Sequence, residues 1–196
     1  MEAIVERVKK IILTPRDALT AVRSEDLPFA PTMKEYVAIL AAIPAVAQFI
    51  GYALIGLPFV GRQNIFRTLI FAILSYVLSL VGVVIFGKII NMLASTFNAV
   101  QSDANSFKLA VYSYTPVFVA GIFNMIPSLS ILSIFGALYG IYVLYLGIPV
   151  LMEAPQEKAV AYTVVSIIVA IVVMIIIGAI AGALAWGGAG GPARYF

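Results

Sequence analysis

Residues 139–158, YGIYVLYLGIPVLMEAPQEK, join a long apolar segment to an abrupt charged turn. The apolar part contains three tyrosines, two glycines and a proline, and the turn contains Glu153, Glu157 and Lys158. An apolar run that stops at a cluster of charges is typical of a helix that leaves a membrane. The stretch therefore predicts a membrane-spanning helix that bends or ends near Pro149, followed by a short turn in water over residues 153–158.

The composition of the whole chain agrees with this prediction. Of its 196 residues, 63% are hydrophobic and only 11% are charged, and the mean hydropathy is +1.08. A soluble domain of this length needs a charged shell. Instead, runs of about 20 apolar residues, enough to cross ~30 Å of hydrocarbon, recur along the chain. The sequence thus predicts an all-α polytopic membrane protein.

The apolar segments and the charges between them predict the topology. A segment at residues 1–31 precedes a membrane domain at 32–187, and a short tail covers 188–196. The expected spans are residues 36–60, 67–87, 107–126, 128–152 and 159–186. With the N-terminus inside, nine lysines and arginines lie on the inner side and three on the outer side. This asymmetry indicates a cytoplasmic N-terminus and an extracytoplasmic C-terminus in the cell (plasma or inner) membrane.

Residues 1–31 have the pattern of two amphipathic helices that lie on the membrane surface. The apolar face, expected to meet lipid or the bundle, includes Ile4, Val8, Ile11 and Leu19. The basic residues expected to face water and headgroups are Arg7, Lys9 and Lys10. Thr14 and Pro15 are suited to the start of the second helix. A solvated tail that packs loosely on the bundle is the alternative.

Two further local patterns concern the ends of the first two spans. Residues 27–31 contain two prolines and predict a stiff linker, and Thr32 and Glu35 have the spacing of a capping box that opens the first span. Beyond the second span, apolar residues recur at helical spacing as far as Val100. This helix is therefore expected to continue past Lys88.

Polar and small residues concentrate in one half of spans three and four, which a short turn makes antiparallel neighbours. They are Tyr112, Tyr114, Thr115 and Pro116 on span three and Tyr139, Gly140, Tyr142, Tyr145, Gly147 and Pro149 on span four. One interpretation is packing, with the tyrosines as interface anchors and interhelical hydrogen-bond donors. The other is a cytoplasm-facing polar cavity for a lipid headgroup, an ion or a small solute.

The packing interpretation makes two specific predictions about span four. Glycine allows a neighbouring backbone to approach closely, so Gly140 and Gly147 are expected to face other helices. An unpaired hydroxyl in hydrocarbon costs on the order of a few kcal/mol. Two of the three tyrosines of this span are therefore expected to find partners on span three or span five.

Two other groups of residues are candidates for contacts outside the bundle. The candidate cytoplasmic surface comprises Lys88, Lys108, Glu153, Glu157 and Lys158. Its two glutamates are four residues apart, which fits either ligands of a hard cation or solvated charges that favour the start of span five. Gly178 and Gly182 form a GxxxG motif, which is typical of helix association within a bundle or between protomers.

The residue types that the chain lacks exclude several classes of function. It contains no cysteine and no histidine, which removes disulfides, thiolate and imidazole metal sites, and histidine acid–base chemistry. A net charge of +3 suits anionic lipid headgroups better than nucleic acid. We therefore expect no enzymatic activity, no cofactor and no nucleic-acid partner.

The order and spacing of three motifs resemble the Yip domain family. The motifs are YSYTP at residues 112–116, YGIYVLYLGIPVLM at residues 139–152, and PQEKA at residues 155–159 followed by Tyr162. The resemblance implies five spans and a cytosolic N-terminus. Eukaryotic members, named for binding Ypt/Rab GTPases, act in early secretory vesicle traffic. The short N-terminal segment resembles the prokaryotic members, which have no Rab partner, and Glu153 stands where many relatives are expected to be basic.

The resemblance, the amphipathic segment and the lack of catalytic groups favour a non-enzymatic protein that organises or shapes the membrane or recruits a partner at its cytoplasmic face. The expected partners are membrane lipids, a second copy through Gly178 and Gly182, or an unidentified protein. The alternative is a small transporter or channel, or a lipid-binding protein, with a polar cavity between spans three and four. An intramembrane enzyme ranks last, because no catalytic set of residues lies within the spans.

Overall fold

The computed structural model of the chain describes residues 2–186, which form seven helical segments and no β-strand. They are α1 (Glu2–Leu13), α2 (Pro15–Ser24), α3 (Phe29–Ile55), α4 (Ile65–Phe97), α5 (Asp103–Met125), α6 (Pro127–Leu151) and α7 (Gln156–Trp186). Helices α3 to α7 are each long and apolar enough to cross a membrane. The prediction of an all-α membrane protein with five spans is confirmed. The expected tail at 188–196 lies outside the described residues.

Local signals in the sequence fix several helix ends. The Asn64 side chain accepts a hydrogen bond from the backbone N–H of Arg67 at the start of α4, and the Ser102 hydroxyl accepts one from Asn105 at the start of α5. Each bond satisfies a donor that the first helical turn leaves unpaired. Helix α4 ends at Phe97, and the next residue, Asn98, has a left-handed backbone (φ 57°) that is common for asparagine after a helix C-terminus.

The start of the first span differs from the prediction. The expected linker is partly helical, because α3 begins at Phe29 instead of after Thr32. The Thr32 hydroxyl donates to the carbonyl of Pro28 (2.8 Å) and does not cap the helix. A proline is compatible with the first turn of a helix, where its missing N–H would have no partner. Pro31 therefore does not interrupt α3.

Helix α4 continues past Lys88, as the apolar pattern predicts, and ends at Phe97. A helix of 33 residues is about 50 Å long, which exceeds the ~30 Å hydrocarbon core. Lys88 forms an ion pair of 2.9 Å with Asp103, the first residue of α5. The start of α5 is therefore level with Lys88, and the last turns of α4 extend beyond it.

The centre of the bundle is α5. Of its most apolar 18-residue window, 72% is buried inside the protein, compared with 39% or less for each of the other spans. Helix α5 packs against α3, α4 and α6, and α7 packs against α4 and α6. Helices α1 and α2 lie at the end of the bundle that also carries the turns at 98–102 and 152–155. We call this end the N-terminal end.

Glycines on α6 set its close approach to α5. A Cβ atom at Gly136 would lie 2.6 Å from the carbonyl oxygen of Pro116, and one at Gly140 would lie 2.5 Å from that of Ser113. Both distances are too short for any larger residue. A Cβ at Gly147 would meet side chains of α5 and α2. Gly140 and Gly147 thus face neighbouring helices, as expected.

The two N-terminal helices are packed on the bundle. Ile11 and Leu19 are completely buried, and Ile4 and Val8 pack at the edge of the same core. Helix α1 contacts α5, and α2 contacts α6. Full burial of an isoleucine or leucine side chain contributes about 2 kcal/mol. The apolar face of these helices is expected to meet either lipid or the bundle, and in the structure it meets the bundle.

Candidate functional site

The polar residues of α5 divide between different faces of the helix. Successive residues turn by about 100°, so Tyr112 and Thr115 share one face. The Thr115 hydroxyl lies 3.0 Å from the hydroxyl of Tyr36 on α3. The Tyr112 hydroxyl accepts a hydrogen bond of 2.5 Å from Arg7 on α1. The structure therefore joins Tyr112 and Thr115 to α1 and α3, and not to α6.

Arg7 is the centre of these polar contacts. Its Nη1 atom also donates to the carboxylate of Glu25 at 2.8 Å. The Nη2 and Nε atoms have no acceptor among residues 2–186, and the side chain is 33% exposed. Partial burial lowers the pKa of Arg7, while the Tyr112 hydroxyl and the Glu25 carboxylate raise it, and the net shift is upward. Arg7 is thus charged and held in position, and its Nη2 and Nε atoms have N–H donors that no described residue accepts.

A pocket of about 210 Å³ opens beside Arg7, between α1, residues 27–28, the start of α3 and Tyr112 of α5; we call it the Arg7 pocket. Its charged and polar lining residues are Arg7, Thr32, Glu35, Tyr36 and Tyr112, and its apolar ones are Ala3, Ile4, Leu27, Pro28 and Pro31. Glu35 is exposed and forms no ion pair with another described residue. The pocket thus combines a cation and an unpaired anion.

Arg7 does not lie on the outer face of α1 with Lys9 and Lys10, as expected; it lies on the inner face, bonded to Glu25 and Tyr112, and remains 33% exposed beside the Arg7 pocket. Arg7 follows Ile4 by three residues and precedes Ile11 by four, so it shares the helical face that packs on the bundle. This spacing is the signal by which the sequence could have identified it. Its partners Glu25 and Tyr112 are 18 and 105 residues away, so no local pattern indicates them.

Lys108 does not belong to the exposed surface on which it was predicted, because only 6% of it is exposed. Its ammonium donates to the backbone carbonyls of Glu25 (2.7 Å) and Arg23 (3.3 Å). These carbonyls lie in and just after the last turn of α2, where a helix leaves acceptors unpaired and favours a cation. Lys108 therefore holds the C-terminus of α2 against α5.

The other residues of the predicted cytoplasmic surface lie at the N-terminal end. Glu153 forms an ion pair with Arg23, which ties the turn at 152–155 to α2. Its backbone is left-handed (φ 53°), as is common for the residue after a helix end. Lys88 pairs with Asp103, whereas Glu157 is exposed in the first turn of α7 and Lys158 is half-buried. Within the described residues, no group of three acidic, histidine or cysteine side chains could hold a metal ion.

The tyrosines of α6 differ from the prediction. The Tyr139 hydroxyl donates to the carbonyl of Ile12 on α1 at 2.6 Å. Tyr142 and Tyr145 are 46% and 37% exposed and form no hydrogen bond with a described residue. The prediction that two of the three bond to span three or five is therefore wrong. Three residues turn a helix by about 300°, which is about 60° short of a full turn. Tyr142 is therefore rotated by about 60°, and Tyr145 by about 120°, away from the side of α6 on which Tyr139 meets α1.

Between α6 and α7 lies an apolar cleft of about 490 Å³, which reaches the inner part of the bundle. Ser113, Tyr114 and Gly140 line it, together with side chains such as Phe86, Leu138 and Ile171. The structure does not bring Tyr112, Thr115, Tyr142 or Tyr145 into this cleft. Pro116 is buried within α5, and Pro149 lies two residues before the last residue of α6. The residues predicted to line one polar cavity thus lie in different parts of the bundle and do not form a single cavity.

Gly178 and Gly182 lie on a face of α7 that the rest of the described chain does not cover. A Cβ atom added at either position would have no neighbour within 4 Å in the part of the chain that the structure describes. Close packing within the bundle therefore does not account for the GxxxG motif in residues 2–186. Its use between two protomers stays a prediction.

Comparisons with known proteins agree with this architecture. Residues 9–187 match the Yip1 domain. The inner membrane protein YohC of Escherichia coli strain K12 is 30% identical over 135 residues, which cover 65% of this chain and 69% of that protein. YohC of Escherichia coli O6:H1 matches to the same extent. No solved structure gives a significant match. The family match extends over α2 and all five spans, and the chain therefore belongs to the Yip1 domain family.

Proposed function

We propose that this protein is a non-enzymatic organiser of the membrane, in which α1 and α2 form a fixed wedge at the headgroup level of one leaflet. The observation that carries the proposal is the docking of these helices on the bundle. Buried Ile11 and Leu19, the bond from Arg7 to Tyr112 and the contacts of Lys108 with α2 all hold them in place. A wedge of this kind widens the protein at one end and therefore favours a curved bilayer.

The outer face of α1 supports a position at the membrane surface. Val5 is 49% exposed and Leu13 is 75% exposed, and neither belongs to the core of the bundle. The ammonium groups of Lys9 and Lys10 are on the exposed side as well. Apolar side chains beside lysines are typical of a helix at the boundary between headgroups and acyl chains.

The excess of lysine and arginine at the N-terminal end favours a cytoplasmic orientation. In that orientation the wedge acts on the cytoplasmic leaflet, which carries the anionic lipids that basic residues attract. The inner membrane relative supports a location in the same kind of membrane. Recruitment of a protein partner would use the same surface.

The alternative of a polar transport pathway receives less support from the geometry. The hydroxyls of Tyr36, Tyr112 and Thr115 are bonded within the protein, and the cleft beside α6 is apolar. A pathway for ions or solutes needs polar groups that remain available along its length. In the described spans, the hydroxyls of Ser113 and Ser166 are buried without a hydrogen-bond partner, but of these two only Ser113 lines the apolar cleft.

The test is sorting of the reconstituted full chain between a flat membrane and membrane tubes drawn from it. We expect enrichment on tubes whose curvature matches the orientation of the protein. Replacing both Val5 and Leu13 by serine should abolish the enrichment, because the apolar outer face is lost while α1 stays docked. The matched control replaces the same residues by isoleucine and methionine. Equal density of the wild type on tubes and flat membrane would refute the proposal.

A further inference from the structure

We propose that the Arg7 pocket binds a phosphoethanolamine group, with the phosphate on the Arg7 guanidinium and the ammonium on the Glu35 carboxylate. The inference concerns recognition of one ligand and does not depend on the wedge. It rests on the two charges that line one small pocket, on their unused bonding capacity and on the depth at which they lie.

The phosphate half of the site is the Arg7 guanidinium. Its bonds to Glu25 and Tyr112 both use Nη1 and fix the orientation of the group. The Nη2 and Nε atoms have no acceptor among the described residues. A planar guanidinium with two adjacent N–H groups matches the oxygens of a phosphate. Because Arg7 is already held in place, little side-chain entropy is lost on binding.

The ammonium half of the site is Glu35. Glu35 is one of the residues that line the pocket, and its carboxylate has no ion-pair partner in the part of the chain that the structure describes. A primary ammonium donates hydrogen bonds to a carboxylate, whereas a quaternary choline cannot. Tyr36 also lines the pocket, and aromatic rings attract cations.

The charges around the pocket favour a zwitterion over an anion. Arg7 is the cation and Glu35 the anion among the lining residues, and Glu25, which does not line the pocket, is paired with Arg7. An anionic phosphate alone would approach two carboxylates and only one guanidinium. A phosphoethanolamine group places its own cation beside Glu35 and so avoids this repulsion.

The depth of the pocket fits a lipid headgroup. No charged residue occurs between Glu35 and Arg62, so Glu35 marks the point at which α3 enters the hydrocarbon. The volume of about 210 Å³ is below the ~300–1,000 Å³ of pockets for drug-sized ligands. At ~30 Å³ for each water, it has room for about seven waters, which is comparable with a small headgroup. The apolar walls at Ile4 and Leu27 suit its methylene groups.

The test uses the purified full chain in detergent and native mass spectrometry. It is titrated with phosphatidylethanolamine, phosphatidylcholine and phosphatidylglycerol that carry identical acyl chains. We expect phosphatidylethanolamine to bind about tenfold more tightly than either of the other two lipids. The Glu35→Gln variant should lose this preference, because the carboxylate is replaced by a neutral amide of the same size. The matched control is Lys34→Gln, since Lys34 is the exposed neighbour that does not line the pocket.

A second arm separates a lipid from a soluble ligand. Glycerophosphoethanolamine is added to the complex with phosphatidylethanolamine. Displacement shows that the headgroup chemistry alone is recognised, and retention of the lipid shows that the acyl chains are also needed. Equal binding of the three lipids, or an unchanged preference in Glu35→Gln, would overturn the proposal. Lipid preference is measured without a curved membrane. The headgroup proposal and the proposed wedge function are therefore tested by separate experiments, and either can be refuted without the other.

Discussion

The guanidinium of Arg7 donates a hydrogen bond of 2.5 Å to the hydroxyl of Tyr112, which lies 105 residues further along the chain. The bond joins α1 to the most buried span of the bundle. Glu25, just after α2, pairs with the same nitrogen of Arg7. One half-buried side chain therefore connects both N-terminal helices to α5. This connection makes the N-terminal segment part of the folded domain.

Replacing Tyr112 by phenylalanine should destabilise the protein by about 1 kcal/mol, because the Arg7 guanidinium loses an acceptor in a partly buried position. Thermal melting of the full chain in detergent measures the effect. Tyr145→Phe is the matched control, since Tyr145 is exposed and has no hydrogen bond with a described residue. Equal melting temperatures for the two variants would contradict the role assigned to the bond.

Replacing Lys108 by methionine should release α2. The methionine keeps most of the side-chain volume but leaves the carbonyls of Arg23 and Glu25 without their donor, at a cost of about 2 kcal/mol. We expect trypsin to cleave after Arg16 and Arg23 roughly tenfold faster in liposomes. The exposed Lys88 gives the control variant Lys88→Met. Unchanged cleavage in Lys108→Met would show that apolar packing alone holds α2.

Replacing Ile11 by serine should undock α1. Ile11 is completely buried, and the loss of such a side chain typically costs about 2–5 kcal/mol. The same change at Leu13, which is 75% exposed, should leave docking intact. Protease sensitivity of the N-terminal segment in liposomes compares the two. Similar sensitivity in both variants would mean that α1 is not fixed to the bundle.

Alanine at Gly140 and alanine at Gly178 should have opposite effects. A Cβ atom at Gly140 meets the carbonyl of Ser113 at 2.5 Å, so α6 must move away from α5. A Cβ atom at Gly178 would have no neighbour within 4 Å among the described residues, and alanine stabilises a helix by about 1 kcal/mol relative to glycine. Melting in detergent should therefore fall for Gly140→Ala and stay or rise for Gly178→Ala. A fall in both would indicate that a partner covers Gly178.

The features that depend on local pattern could be predicted from the sequence. Hydrophobic length indicates the five spans, and helical periodicity indicates that α4 continues past Lys88. The glycines at 140 and 147 predict close helix packing, since a glycine inside a span has a cost that only packing offsets. Each of these signals is contained within about 20 residues of the chain.

The arrangement of the polar site could not be predicted in the same way. Spans three and four are neighbours, but which face of α5 turns toward α6 is decided by contacts across the whole bundle. Tyr112 and Thr115 consequently face α1 and α3. The charge of Lys108 predicts a surface position, whereas the carbonyls of Arg23 and Glu25 at the end of α2 provide partners that make its burial favourable. Such pairings join residues about 80 to 105 positions apart.

The proposed function requires α1 to lie docked at the headgroup level of the bilayer. The depth of the outer face of α1 in the bilayer is therefore the most direct measurement. The chain contains no cysteine, so a single Leu13→Cys variant can carry one spin label in a bilayer. Accessibility to oxygen and to a water-soluble nickel complex then gives the depth of the label. We expect a position about 5–10 Å inside the headgroup boundary, with oxygen access exceeding nickel access. A label at residue 13 that is as accessible to nickel as one at the exposed residue 157 would contradict it.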